Sequence, residues 1–151
     1  MNIKNVSLKD LRKIYSLERK VFKENAFSRN LIYKLIRKNT LFLKLENKKF
    51  ILKNVIGFII CIKDKIDRVN IINFLIEPNN QNRGYGSYLL DYTIKRIEEL
   101  KGIKEIVLNV QVSNSIAIRL YHKFGFKIIE KIDNYYQSKE SAYFMSFTVN
   151  S

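Results

Sequence analysis

A chain of 151 residues is long enough for one domain with a full core, and at 46% hydrophobic it needs no covalent staples to fold. Its one cysteine, Cys61, excludes an intramolecular disulfide and a multi-thiolate metal site, and no run of signal-peptide or membrane-span length interrupts it, so a soluble, cytoplasmic protein is expected. The net charge of +14 suits nucleic acid, a ribosome surface or an acidic ligand, but Lys, Ile and Asn are abundant throughout and the basic residues form no long run; the charge reads mainly as compositional, and specific DNA binding is not expected.

With a single proline, five glycines and no linker or repeat, residues 1–151 read as one domain. Residues 2–6 suit a short strand. Ser7 and Asp10 then resemble a capping box opening a helix whose apolar face carries Leu8, Leu11, Ile14, Tyr15, Leu17 and Val21. Ser28 is a second N-cap candidate, before helical periodicity in "RNLIYKLIRK". Strands follow in "TLFLKLE", "NVIGFIICIK" and "VNIINFLIE", the last nearly continuous in apolar residues, as in a strand covered on both faces. Cys61, within "IICI", reads as a core residue rather than a nucleophile.

Residues 84–101 pattern as an amphipathic helix with Leu89, Leu90, Thr93, Ile94, Ile97 and Leu100 inward, stopped by Gly102. "KEIVLNVQV" is the next strand. "SNSIAIRLYHKF" is a short helix capped by Ser113 or Asn114 and ended by Gly125, with Ile116, Leu120 and Phe124 expected in the core. "GFKIIEKI" and "SAYFMSFTV" complete a β-α-α-β-β-β-α-β-α-β-β order, an α/β (α+β) domain with a mixed sheet.

Two stretches carry chemistry. In "FLIEPNNQNRGYGSYLL" a buried strand runs through a glycine turn into a helix. The first amides of that helix lack partners, its dipole adds positive character, and glycine lets an anion approach the main chain. Arg83 adds a fixed charge. The turn is neither a P-loop nor a dinucleotide fingerprint, lacking the Gly-Lys-Ser/Thr of one and the third glycine of the other. In "VLNVQVSNSIAIRLYHKFGF", Asn114 stands at a helix start. Tyr121, four residues after Ala117, borders the apolar face; periodicity alone equally allows a packing tyrosine and one that reaches a ligand. His122 lies about 100° away on the helix and reads as a surface residue, and Glu77, before Pro78, reads as a solvated turn residue.

The Gln/Arg-x-x-Gly-x-Gly turn after a buried strand resembles motif A of the GNAT acetyltransferase superfamily. "SN-x-x-A-x-x-LY-x-x-x-GF" resembles its motif B, at the family's spacing. "IDNYYQSKESAYFM", "MNIKNVSLKDL" and "FKENAF" are similar to protein N-terminal acetyltransferases of the RimI-like and NatA-catalytic-subunit kinds. The resemblance implies a GNAT fold: about seven strands in a mixed sheet with four helices, splayed between the fourth and fifth strands. It implies acetyl-CoA as cofactor and no metal. By the same resemblance the backbone of Phe74, Leu75 and Ile76 pairs with the pantetheine arm. Gln81, Asn82, Arg83, Gly84, Tyr85, Gly86 and Ser87 hold the pyrophosphate, Asn114 contacts the cofactor near its reactive end, and Tyr121 protonates the departing thiolate. Glu24, Tyr135 and Tyr136 would line the slot for a substrate N-terminus.

One position departs from that pattern. Where RimI-like enzymes often carry a glutamate proposed as the base, this chain has Asn109, which orients a water but takes no proton at neutral pH. An α-amine of pKa about 8 is already about a tenth neutral at pH 7, whereas a lysine of pKa about 10.4 is almost wholly charged. A site with no evident strong base therefore suits an α-amine, with Glu24 or a water on Asn109 assisting. A protein or peptide N-terminus is the expected substrate, a ribosomal protein or nascent chain among the candidates, with ribosome association as a corollary of the charge. Two alternatives stand beside it: a GNAT enzyme for a small amine or a lysine side chain, and an RNA- or partner-binding protein that kept the fold without catalysis.

Overall fold

The apolar run in the middle of the chain sets the layering. In the computed structural model, which describes residues 1–49 and 52–149, β3 (Leu52–Lys65) is buried continuously from Val55 to Cys61. Its side chains alternate between two cores: Val55, Phe58 and Ile60 on one face, Ile56, Ile59 and Cys61 on the other. A strand covered on both faces needs helices on both sides. The chain supplies α1 (Leu11–Phe22) and α2 (Arg29–Arg37) to the first face, and α3 (Tyr85–Glu98) and α4 (Ser115–Phe124) to the second.

The remaining strands are β1 (Asn2–Asn5), β2 (Leu41–Lys49), β4 (Arg68–Ile76), β5 (Glu105–Gln111), β6 (Lys127–Ile132) and β7 (Ala142–Thr148). They form one sheet in the order β1-β2-β3-β4-β5-β7-β6, and among the described residues only β4 and β5 pair in parallel. The chain order is the one read from sequence, with element ends shifted by a few residues. At the first helix, Ser7 N–H donates to Asp10 Oδ2 at 2.9 Å, but the box opens a single 3-10 turn, Leu8–Asp10, before α1 proper, and leaves Leu8 exposed. Ser28 Oγ accepts from Leu31 N–H at 3.1 Å, as an N-cap does. Leu100, expected inward, is 38% exposed because α3 ends at Glu98 and its last turn tightens, Leu100 N–H donating to Ile97 O.

The feature that positions the site is a split between β4 and β5. Their parallel pairing runs from Arg68↔Glu105 to Ile71↔Leu108. Opposite β3, Cys61 then pairs with Ile71 and Ile60 with Asn73, so Ile72 is an extra residue, a β-bulge. Past it β4 stays with β3 (Ile59↔Phe74, Phe58↔Leu75, Gly57↔Ile76), while β5 stays with β7 (Asn109↔Phe144, Gln111↔Ala142). Each strand thus turns one main-chain edge toward a wedge between them, the splay expected between the fourth and fifth strands.

Candidate active site

The upper wall of the wedge is the glycine turn. Asn82 (φ 62°) and Gly84 (φ 81°) both take left-handed backbone, curling the chain so that Gly84 caps α3. The first bond within the helix is Tyr88 N–H to Gly84 O at 3.0 Å, which leaves the amides of Tyr85, Gly86 and Ser87 at its open end. Gln81 Nε2 donates to Ile76 O at 3.0 Å and ties the turn to the end of β4. A Cβ at Gly86 would meet Leu120 at 3.3 Å, so glycine there lets α3 close on α4.

Beneath the turn lies a mainly apolar cleft of about 240 Å³. Of the residues expected to hold a cofactor, Phe74, Leu75, Ile76, Gln81, Asn82, Gly84, Gly86, Ser87, Asn114 and Tyr121 line it. Arg83 and Tyr85 do not: Arg83 is exposed, and Tyr85 packs against the core. Val21 and Phe22 of α1 complete the wall.

α4 forms the opposite wall. Asn114, not Ser113, is its cap, Oδ1 accepting from Ala117 N–H at 3.2 Å, and Gly125 ends it at φ 103°. Ile116, expected in the core, faces the cleft instead and is 51% exposed, whereas Leu120 and Phe124 are partly buried against the core, Leu120 also lining the cleft. The buried position is Tyr121, 5% exposed, its ring between Phe74 (6.3 Å) and Phe126 (5.6 Å). Burial raises the phenol above its ordinary range and keeps it protonated. His122 is exposed with Nδ1 3.1 Å from Phe126 O. Glu77 pairs with Lys20 at 3.7 Å and lines neither cavity described here. Cys61 is fully buried, which pushes its thiol up and leaves it unsuited to attack.

On the far side of Tyr121 is a second cavity, about 80 Å³ and more polar. Phe22, Phe74, Asn114 and Tyr121 border both spaces. Asn109 and Tyr136 line the smaller one. Asn109 Nδ2 donates to Tyr135 Oη at 3.2 Å, and its Oδ1 is buried without a partner. Tyr135 stands edge-on to Tyr136, ring centroids 4.9 Å apart; Tyr135 is exposed, whereas Tyr136 is partly buried and its phenol raised by that burial. Glu24 is turned outward on the single 3-10 turn Lys23–Asn25 and lines neither cavity. Its neighbour Asn25 faces inward, with Nδ2 donating to Ser138 Oγ and Oδ1 accepting from Ser138 N–H, both at 3.0 Å. That pair pins the tyrosine loop over the cavity.

The residue that sequence reading missed is Glu18. It sits on α1, 1% exposed, where Oε2 accepts from Phe27 N–H at 2.8 Å and Oε1 from Asn73 Nδ2 at 2.5 Å. Burial pushes its carboxyl up to about 7, against the lowering pull of those two donors. A signal was present: Leu11, Ile14 and Glu18 follow i, i+3, i+7 spacing, which places an acid on the stripe facing the sheet.

The site is thus an α/β sheet parted between two parallel strands, with an amide-rich glycine turn over an apolar cleft and a polar cavity behind it. The chain belongs to the Acetyltransferase (GNAT) family, whose model matches residues 8–126. It is 33% identical over 81 residues to an N-alpha-acetyltransferase of Sulfurisphaera tokodaii, 54% of this chain and 48% of that one. It is 35% identical over 97 residues to the [Ribosomal protein bS18]-alanine N-acetyltransferase of Haemophilus ducreyi, 62% of this chain and 66% of that one. These matches span about half to two-thirds of the curated relatives. Among solved structures, Ard1 from Thermoplasma volcanium superposes with a TM-score of 0.86 at 26% identity, covering 99% of this chain and 98% of that one.

Proposed function

We propose that this chain transfers the acetyl group of acetyl-CoA to the α-amine of a protein or peptide N-terminus, by direct attack of the amine on the thioester. The observation that carries this reading is the meeting of two unlike cavities at Tyr121. One is an apolar cleft under an anion-accepting turn, the other a polar space closed by asparagines, Glu18 and a tyrosine loop. The relatives named for α-amine acetylation support the choice of amine.

The residues present fit the cofactor. The amides at 85–87, the left-handed curl at Asn82 and Gly84, and the absence of any heavy atom within 4 Å of a Cβ built on Gly84 leave the main chain open to a diphosphate. The free edge of β4 at Phe74–Ile76 suits an extended amide-bearing arm. Arg83 acts on the diphosphate by charge alone, from solvent, and Tyr85 through its main-chain amide. Asn114 and Tyr121, bordering both spaces, stand where thioester and amine meet. Tyr136 packs against the incoming peptide and Tyr135 orients Asn109. Glu24, facing solvent, serves the slot only at its outer rim.

Residues 1–151 act as one domain in this reading, in the cytoplasm; among the described residues no helix is long and apolar enough to cross a membrane. The charge of +14 would favour encounter with substrates near ribosomal RNA.

Incubation with acetyl-CoA and a peptide library of varied N-termini, read by mass spectrometry, tests the function. Addition of one acetyl group to the α-amine is the expected result. Acetylation confined to lysine, or to small amines, would replace this reading, and tight RNA binding without thioester turnover would end it. Asn109→Ala removes one buried acceptor and the bond to Tyr135 but no titratable group. It is expected to lower kcat/KM only about two- to tenfold, the size of one hydrogen bond, in steady-state assays.

A further inference from the structure

We propose that the Glu18 carboxylate is the group that receives the proton shed by the attacking amine. This rests on the acetyltransferase reading and assigns a proton acceptor in a cavity where Asn109 cannot take a proton at neutral pH.

The geometry carries it in three steps. First, Glu18 lines the same polar cavity as Asn109, Asn114, Tyr121 and Tyr136, so it belongs to the amine side of the thioester. Second, its two hydrogen bonds, to Phe27 N–H and Asn73 Nδ2, occupy two of the roughly four lone-pair positions of a carboxylate, leaving acceptor capacity. Third, Asn109 Oδ1 is, among the described residues, the buried side-chain oxygen without a partner, and it belongs to the same cavity. A volume of about 80 Å³ exceeds what one water needs, so an amine N–H or a water bonded to Asn109 Oδ1 can hand its proton to Glu18.

The surroundings fix when the carboxylate is charged. From α4 and the tyrosine loop it faces two phenols, Tyr121 and Tyr136, both kept protonated by burial. From β4, β5 and the α1–α2 segment it faces the neutral amides Asn73, Asn109 and Asn25. No lysine, arginine or second carboxylate lines this cavity among the described residues, and its chain neighbours Arg19 and Lys20 are exposed. Burial therefore dominates and sets the carboxyl near 7, where a general base works best at neutral pH.

The step balances. The nitrogen lone pair forms the N–C bond to the thioester carbonyl, and the nitrogen, made acidic by that bond, yields its proton toward Glu18. The C–S bond breaks, its electron pair leaves with sulfur, and Tyr121 supplies the thiol proton. Solvent then returns one proton to Tyr121 and removes one from Glu18.

The test is Glu18→Gln, assayed from pH 5 to 9 with acetyl-CoA and a peptide the wild type acetylates, alongside melting curves. Gln keeps an acceptor for Phe27 N–H, and Asn73 meets it by turning its amide. The expected result is a kcat about 100-fold lower at pH 7.5, the low end of the usual general-base range, with loss of the acidic limb near pH 7. The limb near 8 that belongs to the substrate amine stays. Melting separates this from a structural role. A carboxyl raised from 4.5 to about 7 gives stability that is complete below 4.5 and lost as pH rises through 7. The Gln variant should therefore melt higher than wild type at pH 8 and about level with it at pH 4.5. A folded variant with unchanged kcat and pH profile overturns the proposal, as does a variant that melts lower at every pH and loses activity in step. A wild-type protein that acetylates no peptide brings down the underlying reading instead, and is seen before any variant is made.

Discussion

Tyr121→Phe should leave the fold intact and lower kcat by about 10²-fold or more, with little change in the KM for acetyl-CoA. The substitution removes one oxygen and keeps the ring wedged between Phe74 and Phe126, so the cleft retains its shape. What is lost is the hydroxyl donor; of the three aromatic side chains that border both cavities, Phe22, Phe74 and Tyr121, only Tyr121 carries one. General acid assistance is typically worth about 10²–10⁴, and a thiolate, with a parent pKa near 8.5, leaves without needing a full proton, which argues for the lower end. Burial holds the phenol protonated across the assay range, so Tyr121 should add no basic limb to the wild-type pH profile. The melting temperature should move by a degree or two, the scale of about half a kcal/mol in a chain of this size. Pre-steady-state kinetics with a peptide acceptor decide the matter: a kcat within twofold of wild type removes Tyr121 from the chemistry, and a larger fall in affinity than in kcat makes it a wall of the cleft instead.

The comparison of Tyr121 with Glu18 marks how far this site is readable from sequence. The glycine turn and the Asn114 cap are local: each follows from backbone conformations within a dozen residues and lies where those patterns put it, whereas Tyr121, read at the border of the apolar face of α4, is the residue of that helix that is buried. Glu18 and Asn73 meet across 55 positions, and their meeting depends on the bulge at Ile72. A strict period of two would place Asn73 on the face of Ile71. The extra residue instead puts Ile71 and Phe74, three apart, against the same core and frees Asn73 to bond α1. No alternation rule announces that slip. Glu24 lies outside both cavities for a related reason: the resemblance carried its position, but Lys23 at φ 52° turns the short segment so that Asn25 faces inward. Periodicity misjudged Ile116 for the opposite reason, since the apolar face of α4 covers a cleft rather than a packed core.

The bulge and the wedge also make one glycine on the opposite side of β4 unusually sensitive. Gly57 pairs with Ile76 beside a second register shift, between Leu45 and Glu46 of β2. A Cβ built on it would lie 2.7 Å from Leu75 O and 2.6 Å from Ile76 Cδ1. The side-chain carbon can rotate away, but the carbonyl belongs to the strand that walls the cleft and moves only if β4 moves. Gly57→Ala should therefore destabilise the protein by about 2 kcal/mol, within the usual range for overpacking and a fall in Tm of about 4–8 °C. Because the displaced segment is Phe74–Ile76, the same variant should bind acetyl-CoA more weakly by calorimetry even where it is fully folded, whereas an alanine at an exposed strand position such as Lys63 should do neither. A Gly57→Ala protein that melts with wild type and binds acetyl-CoA equally would mean that the end of β4 gives way freely. The free edge of that strand could then not serve as the rigid template on which an extended cofactor arm is aligned.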